Sequence, residues 1–381
     1  MQQSRDKSMT ALGTRADVPT MHRRIRSPPL WRLTLSAQFA RFETAFPELM
    51  EPLMTARVAM FDQSYAHIRD RLDALKLDID VVTFGKDGIF RGRHGATRPE
   101  ETEVDYVWLS THINADGFRD TAFGYIENLK SAKVVQTFNA GLDHPIYKRL
   151  AARGMTICNS SAQGIAIAEY ALGQVMAVLQ PIDEQRALQA RREWKITLFR
   201  EVSQTRWLIV GFGPIGQELA TRLRAFGAKI DVIRRSPAPT PLADRIGTMA
   251  DLGKFVPDAD VIVFACSLTD ETRGFAGKTF FERVKPGAIL VNIARGALID
   301  DAAMITALDS GRLGTAILDV FHEEPLPKDN PLWSHPKVRL TGHTSFGGNG
   351  ARGRWDQLFL DNVSRYARGE PLARVVDPKD I

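Results

Sequence analysis

The stretch from Arg206 to Ser236, RWLIVGFGPIGQELATRLRAFGAKIDVIRRS, restricts the fold of this chain more than any other. Residues 207–210 form a short apolar run whose length and β-branched content suit a buried strand. Gly211, Gly213 and Gly216 follow at GxGxxG spacing, and an apolar-periodic helix through Leu219, Leu223 and Phe226 runs to Gly227. A second strand at 229–233 completes a β-α-β unit. The first glycine permits a tight turn, the second lets backbone approach a pyrophosphate, and the third lets helix and strand pack closely. Unpaired N–H groups and the positive dipole end of the helix face the same point. The glycine spacing alone matches many loops; the strand-helix-strand frame around it makes it a dinucleotide site.

Alternating strands and helices extend this pattern in both directions. Before it, strands are expected at 58–61, 80–84, 104–109, 133–138 and 155–158, with helices at 65–75, 118–129 and 146–153 and a loop at 85–103 rich in Gly and Pro. A long connecting helix at 165–194 should be kinked or split at Pro181. After the glycine turn, strands are expected at 261–264, 288–293, 315–319 and 338–341, helices at 280–283 and 301–310, and a last helix at 352–368. Such alternation means parallel sheets covered on both faces. The expected fold class is α/β: two Rossmann-like or flavodoxin-like parallel-sheet domains with a cleft between them, the C-terminal helix returning to the first domain. Residues 56–165 with 346–372 would form a substrate domain and 166–345 an NAD(P)-binding domain.

Composition narrows the class further. With 44% hydrophobic and 25% charged residues the chain reads as a soluble globular protein. No apolar run reaches the ~18 residues of a membrane span. Cys158 and Cys266 are too few for a disulfide framework or a metal cluster, so a cytoplasmic setting with no metal is expected. Residues 1–55 hold eight Arg or Lys against five Asp or Glu, a surplus of +3 that leaves +2 of the net +5 for the rest. That distribution does not make a nucleic-acid surface. The segment 1–55 reads as a basic, partly disordered extension, with a docked helix at 35–50 and a solvated basic cluster at His22–Arg26.

Three polar stretches follow strands of the second unit: VNIARGALID with Arg295, ILDVFHEEPLP with Asp319 and Glu324, and RLTGHTSFGG with His343. Open parallel sheets place ligands at strand C-terminal ends, so all three can converge on one crevice. An arginine binds a substrate carboxylate and polarises its carbonyl. A histidine supplies a proton near neutral pH, and a carboxylate orients it and stabilises its cationic form. Each residue alone has an ordinary structural explanation; the set in this order suits hydride transfer to a 2-oxo acid.

IVGFGPIGQELATRL, TDETRGF, ILVNIARGALID, ILDVFHEEPLP with NPLW, and TGHTS together resemble the D-isomer-specific 2-hydroxyacid dehydrogenases, over about residues 57–366. This is the family of glyoxylate/hydroxypyruvate reductases, D-lactate dehydrogenases and phosphoglycerate dehydrogenases. The resemblance implies that Arg295, Glu324 and His343 are catalytic. Asp319 would hold the nicotinamide carboxamide, and Pro214, Ile215, Cys266, Ser267, Thr272 and Ile293 would line the cofactor. Ser110, Thr111 and the turn Asn139-Ala140-Gly141 would face the substrate carboxylate. It also implies a homodimer through the cofactor domain. Two departures are the Ser267 that replaces a frequent Pro, and VSQTRW in place of a glycine-rich approach to the first Rossmann strand. At the end of the second strand, where an NAD site needs Asp or Glu, stand Arg234, Arg235 and Ser236, which would pair with a 2′-phosphate. NADP(H) is therefore the expected cofactor, with NAD(H) the alternative. The expected activity is reduction of a small 2-oxo acid such as glyoxylate or hydroxypyruvate. The rivals are a dinucleotide-sensing corepressor-like protein and a formate- or phosphite-type dehydrogenase.

Overall fold

The computed structural model describes residues 55–381. The expectations for the tail, the helix at 35–50 and the basic cluster lie outside the described residues.

Two seven-stranded sheets carry the chain. The first contains β1 (Ala56–Phe61), β2 (Ile79–Phe84), β3 (Phe90–Gly92), β4 (Gly95–Thr97), β5 (Tyr106–Leu109), β6 (Val134–Thr137) and β7 (Thr156–Cys158), in the order β4-β3-β2-β1-β5-β6-β7. Its five parallel strands follow the flavodoxin-like 2-1-3-4-5 order. The alternation of side chains along each strand feeds two cores. Ala59, Phe61, Val107 and Leu109 meet helices α2 (Arg119–Glu127) and α3 (Pro145–Ala152) on one face. Val58, Met60, Tyr106 and Trp108 meet α1 (Asp62–Asp73) on the other.

The segment 85–103 is not the plain loop expected: β3 and β4 form an antiparallel hairpin on the sheet edge. Three-residue strands are too short to show periodicity. Phe90 is their anchor, fully buried and stacked on Phe84 with ring centroids 5.1 Å apart.

The connection to the second sheet is two helices, α4 (Gly164–Leu179) and α5 (Ile182–Arg191), bent by 54° at the break that holds Pro181. No single helix among the described residues is long and apolar enough to cross a membrane. Helix α5 stops earlier than expected, at Arg192 in a left-handed conformation with φ 57°, and Trp194, Ile196, Leu198 and Phe199 beyond it are exposed.

The second sheet contains β8 (Arg206–Val210), β9 (Lys229–Ile233), β10 (Arg245–Gly247), β11 (Val261–Phe264), β12 (Ala288–Asn292), β13 (Leu313–Leu318) and β14 (Val338–Leu340). Their order, β10-β9-β8-β11-β12-β13-β14, is the doubly wound 3-2-1-4-5-6 arrangement with one added edge strand. Helices α4 and α6 (Pro214–Ala225) cover one face. The opposite face meets the short α7 (Leu252–Phe255), α8 (Lys278–Arg283) and α9 (Asp301–Asp309). Strand β10 and helix α7 lack a readable signal because they span only three and four residues. A buried ionic clamp ties this edge together. Asp231, fully buried in β9, accepts from Arg206 Nη1 at 3.0 Å and from Arg245 Nη2 at 2.6 Å.

Helix α10 (Ala351–Ala367) lies against the first sheet, with Phe359, Leu360 and Val363 in the core beside Val58, Met60 and Trp108. The Phe359 ring stacks on Trp108 at 4.1 Å, with an 8° interplanar angle. Beyond residue 372 the chain continues along the sheet edge. Val375 bridges to Cys158, and Val376 N–H donates to the Ile157 carbonyl at 2.9 Å. Replacing Phe359 with Ala removes a fully buried aromatic ring and should cost about 3–5 kcal/mol. Urea denaturation of wild type and variant measures this loss.

Candidate active site in the interdomain cleft

The site begins where β8 ends. Gly211 has φ 100°, and a Cβ there would overlap the backbone of Ala265 and Cys266 after β11. A Cβ on Gly216 would overlap the Gly211 carbonyl. Gly213, by contrast, has nothing within 4 Å of where its Cβ would stand. The first and third glycines let protein approach protein, and the second leaves space for a ligand over the N-terminus of α6. Pro214 occupies the first turn of that helix, where its missing N–H costs nothing.

Opposite this turn is the loop after β11. Cys266 and Ser267 line the cleft, and burial pushes the Cys266 thiol up to about 11, so it is a neutral wall rather than a nucleophile. Thr272 does not line the cavity. Its hydroxyl donates to the Ser267 carbonyl at 2.9 Å and accepts from Thr269 N–H at 2.8 Å, which staples the loop. At the end of β9 the Arg234 guanidinium lies 5.6 Å from the Phe212 ring centroid, Arg235 lines the cleft, and Ser236 is exposed.

Arg295 follows β12 and Ile293. Its Nη1 donates to the Ala294 carbonyl at 2.6 Å, and Nε donates to Asp143 Oδ2 at 2.7 Å, with Nη2 on the same oxygen. Asp143 belongs to the first domain, so this ion pair spans the cleft. Gly141 lies against it, and a side chain there would overlap the Arg295 guanidinium.

His343 and Glu324 form a second pair. His343 Nδ1 and Glu324 Oε2 are 2.6 Å apart. An ionised carboxylate only accepts, so Nδ1 carries the proton and Nε2 is left for a ligand. Glu324 is held in turn by Phe321 N–H, which donates to Oε1 at 2.9 Å. His343 has φ 48°, a left-handed conformation stabilised by its N–H donating to the Asp319 carbonyl at 2.8 Å. The fully buried Asp319 carboxylate accepts from the Thr341 hydroxyl at 2.5 Å, Thr344 N–H at 2.8 Å and Ser345 N–H at 2.9 Å. It organises the loop that carries His343.

A cavity of about 460 Å³ lies between the domains. It brings together Gly213, Pro214, Ile215, Arg235, Cys266, Ser267, Ile293 and Arg295 with Ala140 and Gly141. Its lining does not include Glu324, His343 or Asp319, nor Ser110, Thr111 and Asn139. Ser110 is buried, its hydroxyl 2.6 Å from that of Ser64 and 3.0 Å from His112 Nδ1. Thr111 opens the short helical turn Thr111–Gly117. Asn139 is anchored through its amide, which donates to the Tyr147 hydroxyl at 2.7 Å. Among the cavity residues that the sequence did not mark as candidates are Asp143, Asn159 and Arg374. Asp143 stands two residues after Gly141, and Asn159 directly follows β7, so proximity to strand ends marks both. Arg374 has no local signal.

Comparison with known proteins supports the same architecture. The family model described as D-isomer specific 2-hydroxyacid dehydrogenase, NAD binding domain, matches residues 172–345. A D-3-phosphoglycerate dehydrogenase of Methanocaldococcus jannaschii is 32% identical over 262 residues, 67% of this chain; the chain spans about half of that relative's length, 49%. A glyoxylate/hydroxypyruvate reductase A of Klebsiella pneumoniae is 30% identical over 217 residues, 57% of this chain and 69% of the relative. A D-isomer specific 2-hydroxyacid dehydrogenase from Xanthobacter autotrophicus, solved in complex with NADPH and MES, superposes with a TM-score of 0.69 at 26% identity, covering 86% of this chain and 99% of its own. With both doubly wound sheets, the glycine turn and the Arg, Glu and His loops in place, the chain belongs to the D-isomer specific 2-hydroxyacid dehydrogenase family.

Proposed function

We propose that this protein reduces a small 2-oxo acid, such as glyoxylate or hydroxypyruvate, to the D-2-hydroxy acid with NADPH. The observation that carries the reading is the Glu324–His343 pair at 2.6 Å, set at the same strand-end edge as Arg295 and the Gly211–Gly216 turn. The Klebsiella relative bears the reductase name, and the Xanthobacter neighbour was solved with NADPH.

The open space over Gly213, the N-terminus of α6 and the arginines after β9 fit a phosphorylated dinucleotide. When bound, the cofactor supplies the hydride that the carbonyl carbon receives. Arg295 binds the substrate carboxylate and polarises the carbonyl. In the structure Asp143 already presents a carboxylate to that guanidinium, so substrate binding exchanges one carboxylate for another rather than leaving Arg295 bare. His343 enters as the imidazolium, with Glu324 on Nδ1 offsetting its charge. It gives the Nε2 proton to the developing alkoxide and takes another from solvent. Asp319, through its hydrogen bonds to the Thr341–Ser345 loop, keeps His343 at this position. On the first-domain side Ala140 and Gly141 line the cavity.

Replacing His343 with Ala should lower kcat by roughly 10²–10⁴-fold on the best substrate, the usual contribution of general acid–base catalysis. Steady-state assays on glyoxylate, hydroxypyruvate and pyruvate, with formate and phosphite as oxidation substrates, measure this and separate the reductase from its rivals. With NADPH and NADH compared side by side, the wild type should favour NADPH. Arg235→Asp should raise the KM for NADPH at least about tenfold, as expected when a charge-assisted contact to a 2′-phosphate is lost, and change the KM for NADH far less.

The protein is proposed to act as a cytoplasmic homodimer that pairs through the cofactor domain. Free thiols at Cys158 and Cys266 fit a reducing compartment. Trp194 is fully exposed, with Ile196 at 82% and Leu198 at 88%, an apolar strip of the kind that marks an interface. Trp194→Glu should shift the sedimentation coefficient toward the monomer.

A further inference from the structure

Arg374 lies in the C-terminal tail, beyond the last helix and outside every motif of the sequence, yet it lines the cleft that also holds Arg295. Its backbone is held on both sides. Its carbonyl accepts from Asn159 N–H at 3.1 Å, and Val375 and Val376 bridge to the edge of β7. Its φ is 64°, a left-handed conformation that costs a non-glycine residue energy and persists only where the surroundings enforce it. The tail therefore presents this side chain at a defined place.

The guanidinium there is half-buried and under-partnered. Nη2 donates to Asn159 Oδ1 at 2.9 Å, and Asn159 Nδ2 donates to the Ala140 carbonyl at 2.8 Å, beside Gly141 and Arg295. Nε is buried without a hydrogen-bond partner. Among the described residues no carboxylate forms an ion pair with Arg374, whereas Arg295 in the same cavity has Asp143. Burial pushes the Arg374 guanidinium below the usual arginine value. Burying a cation without a counter-ion is expensive, and an arriving anion removes that cost. Arg295 is committed to the first carboxylate of a 2-oxo acid, so the charge of Arg374 is surplus to that substrate's needs.

We propose that Arg374 is a specificity residue that binds a second anionic group on the substrate, so that this cleft selects 2-oxo acids carrying a further carboxylate or phosphate. This rests on the reductase reading above and names its substrate class. The guanidinium is oriented by a chain of uncharged acceptors, Asn159 and then the Ala140 carbonyl, which fix it without cancelling its charge. Its planar fork donates to a carboxylate or a phosphate oxygen in the same way.

The test is steady-state kinetics of the full chain on four acids: glyoxylate and hydroxypyruvate, with one anionic group, and oxaloacetate and 3-phosphohydroxypyruvate, with two. Arg374→Gln should lower kcat/KM for the second pair at least tenfold more than for the first, and Arg374→Lys should retain part of the difference. Arg374→Asn, a neutral residue that tolerates the left-handed backbone, should repeat the loss seen with Gln. Whichever of oxaloacetate and 3-phosphohydroxypyruvate loses more identifies the second group as carboxylate or phosphate. An equal loss on all four acids, or no loss on either dianionic acid, overturns the proposal while glyoxylate turnover by the wild type still upholds the reductase reading. If the wild type reduces none of the four, the reductase reading falls. Calorimetric titration of malonate and of inorganic phosphate then decides the anion site alone: binding at least tenfold weaker to Arg374→Gln supports it, and equal binding overturns it.

Discussion

One buried carboxylate, Asp319, holds together the strand-end edge of the second sheet that carries Glu324 and His343. It sits at the end of β13, fully buried, and takes hydrogen bonds from Thr341, Thr344 and Ser345 after β14, while its backbone carbonyl takes one from His343. A buried charge is tolerated only when its acceptor sites are filled, and filling them folds the loop into a single shape. That shape includes the left-handed turn at His343 that brings its ring to Glu324. The Glu324–His343 pair is thus positioned by a carboxylate whose own oxygens are taken up by the loop.

The two glycines that press against backbone do comparable work at the turn after β8. Gly211 lets β8 and β11 approach at the point where the strand order reverses, and Gly216 lets α6 pack on its own turn. Any side chain at either position would drive the elements apart. The cleft therefore depends on absent side chains at one end and on a well-satisfied buried carboxylate at the other. Between them stand guanidinium groups whose surroundings differ. Arg234 lies over an aromatic ring, Arg295 has a carboxylate from the opposite domain, and Arg374 has, among the described residues, a neutral amide. The difference in compensation, more than the number of charges, distinguishes their roles.

Much of the fold was legible along the chain because its parallel strands are buried on both faces and flanked by amphipathic helices. Strands β9 and β11 fall where the apolar runs put them, and the break at Pro181 follows from a ring that cannot donate an N–H. The hairpin β3–β4, strand β10 and helix α7 were not legible, since three or four residues carry no period. Helix α5 ended early for a different reason: Arg192 takes a left-handed conformation, and Trp194 beyond it is fully exposed, so no core rewards continuing the helix.

The site divides along the same line. The sequence by itself determined the residue types and their order: a glycine turn, basic residues after the second strand, then Arg295, Glu324 and His343 after later ones. Each is local, a matter of spacing relative to a strand end, and strand ends converge in any parallel sheet. Only the tertiary structure decided that Asp143 would meet Arg295 across the cleft, 152 residues away in the chain, or that Arg374 would return beside Asn159 after 215. Those contacts depend on how one domain faces the other and where the tail crosses the sheet edge. No periodicity or motif encodes a distance of that kind, because it is set by packing between elements rather than by the conformation of any one of them.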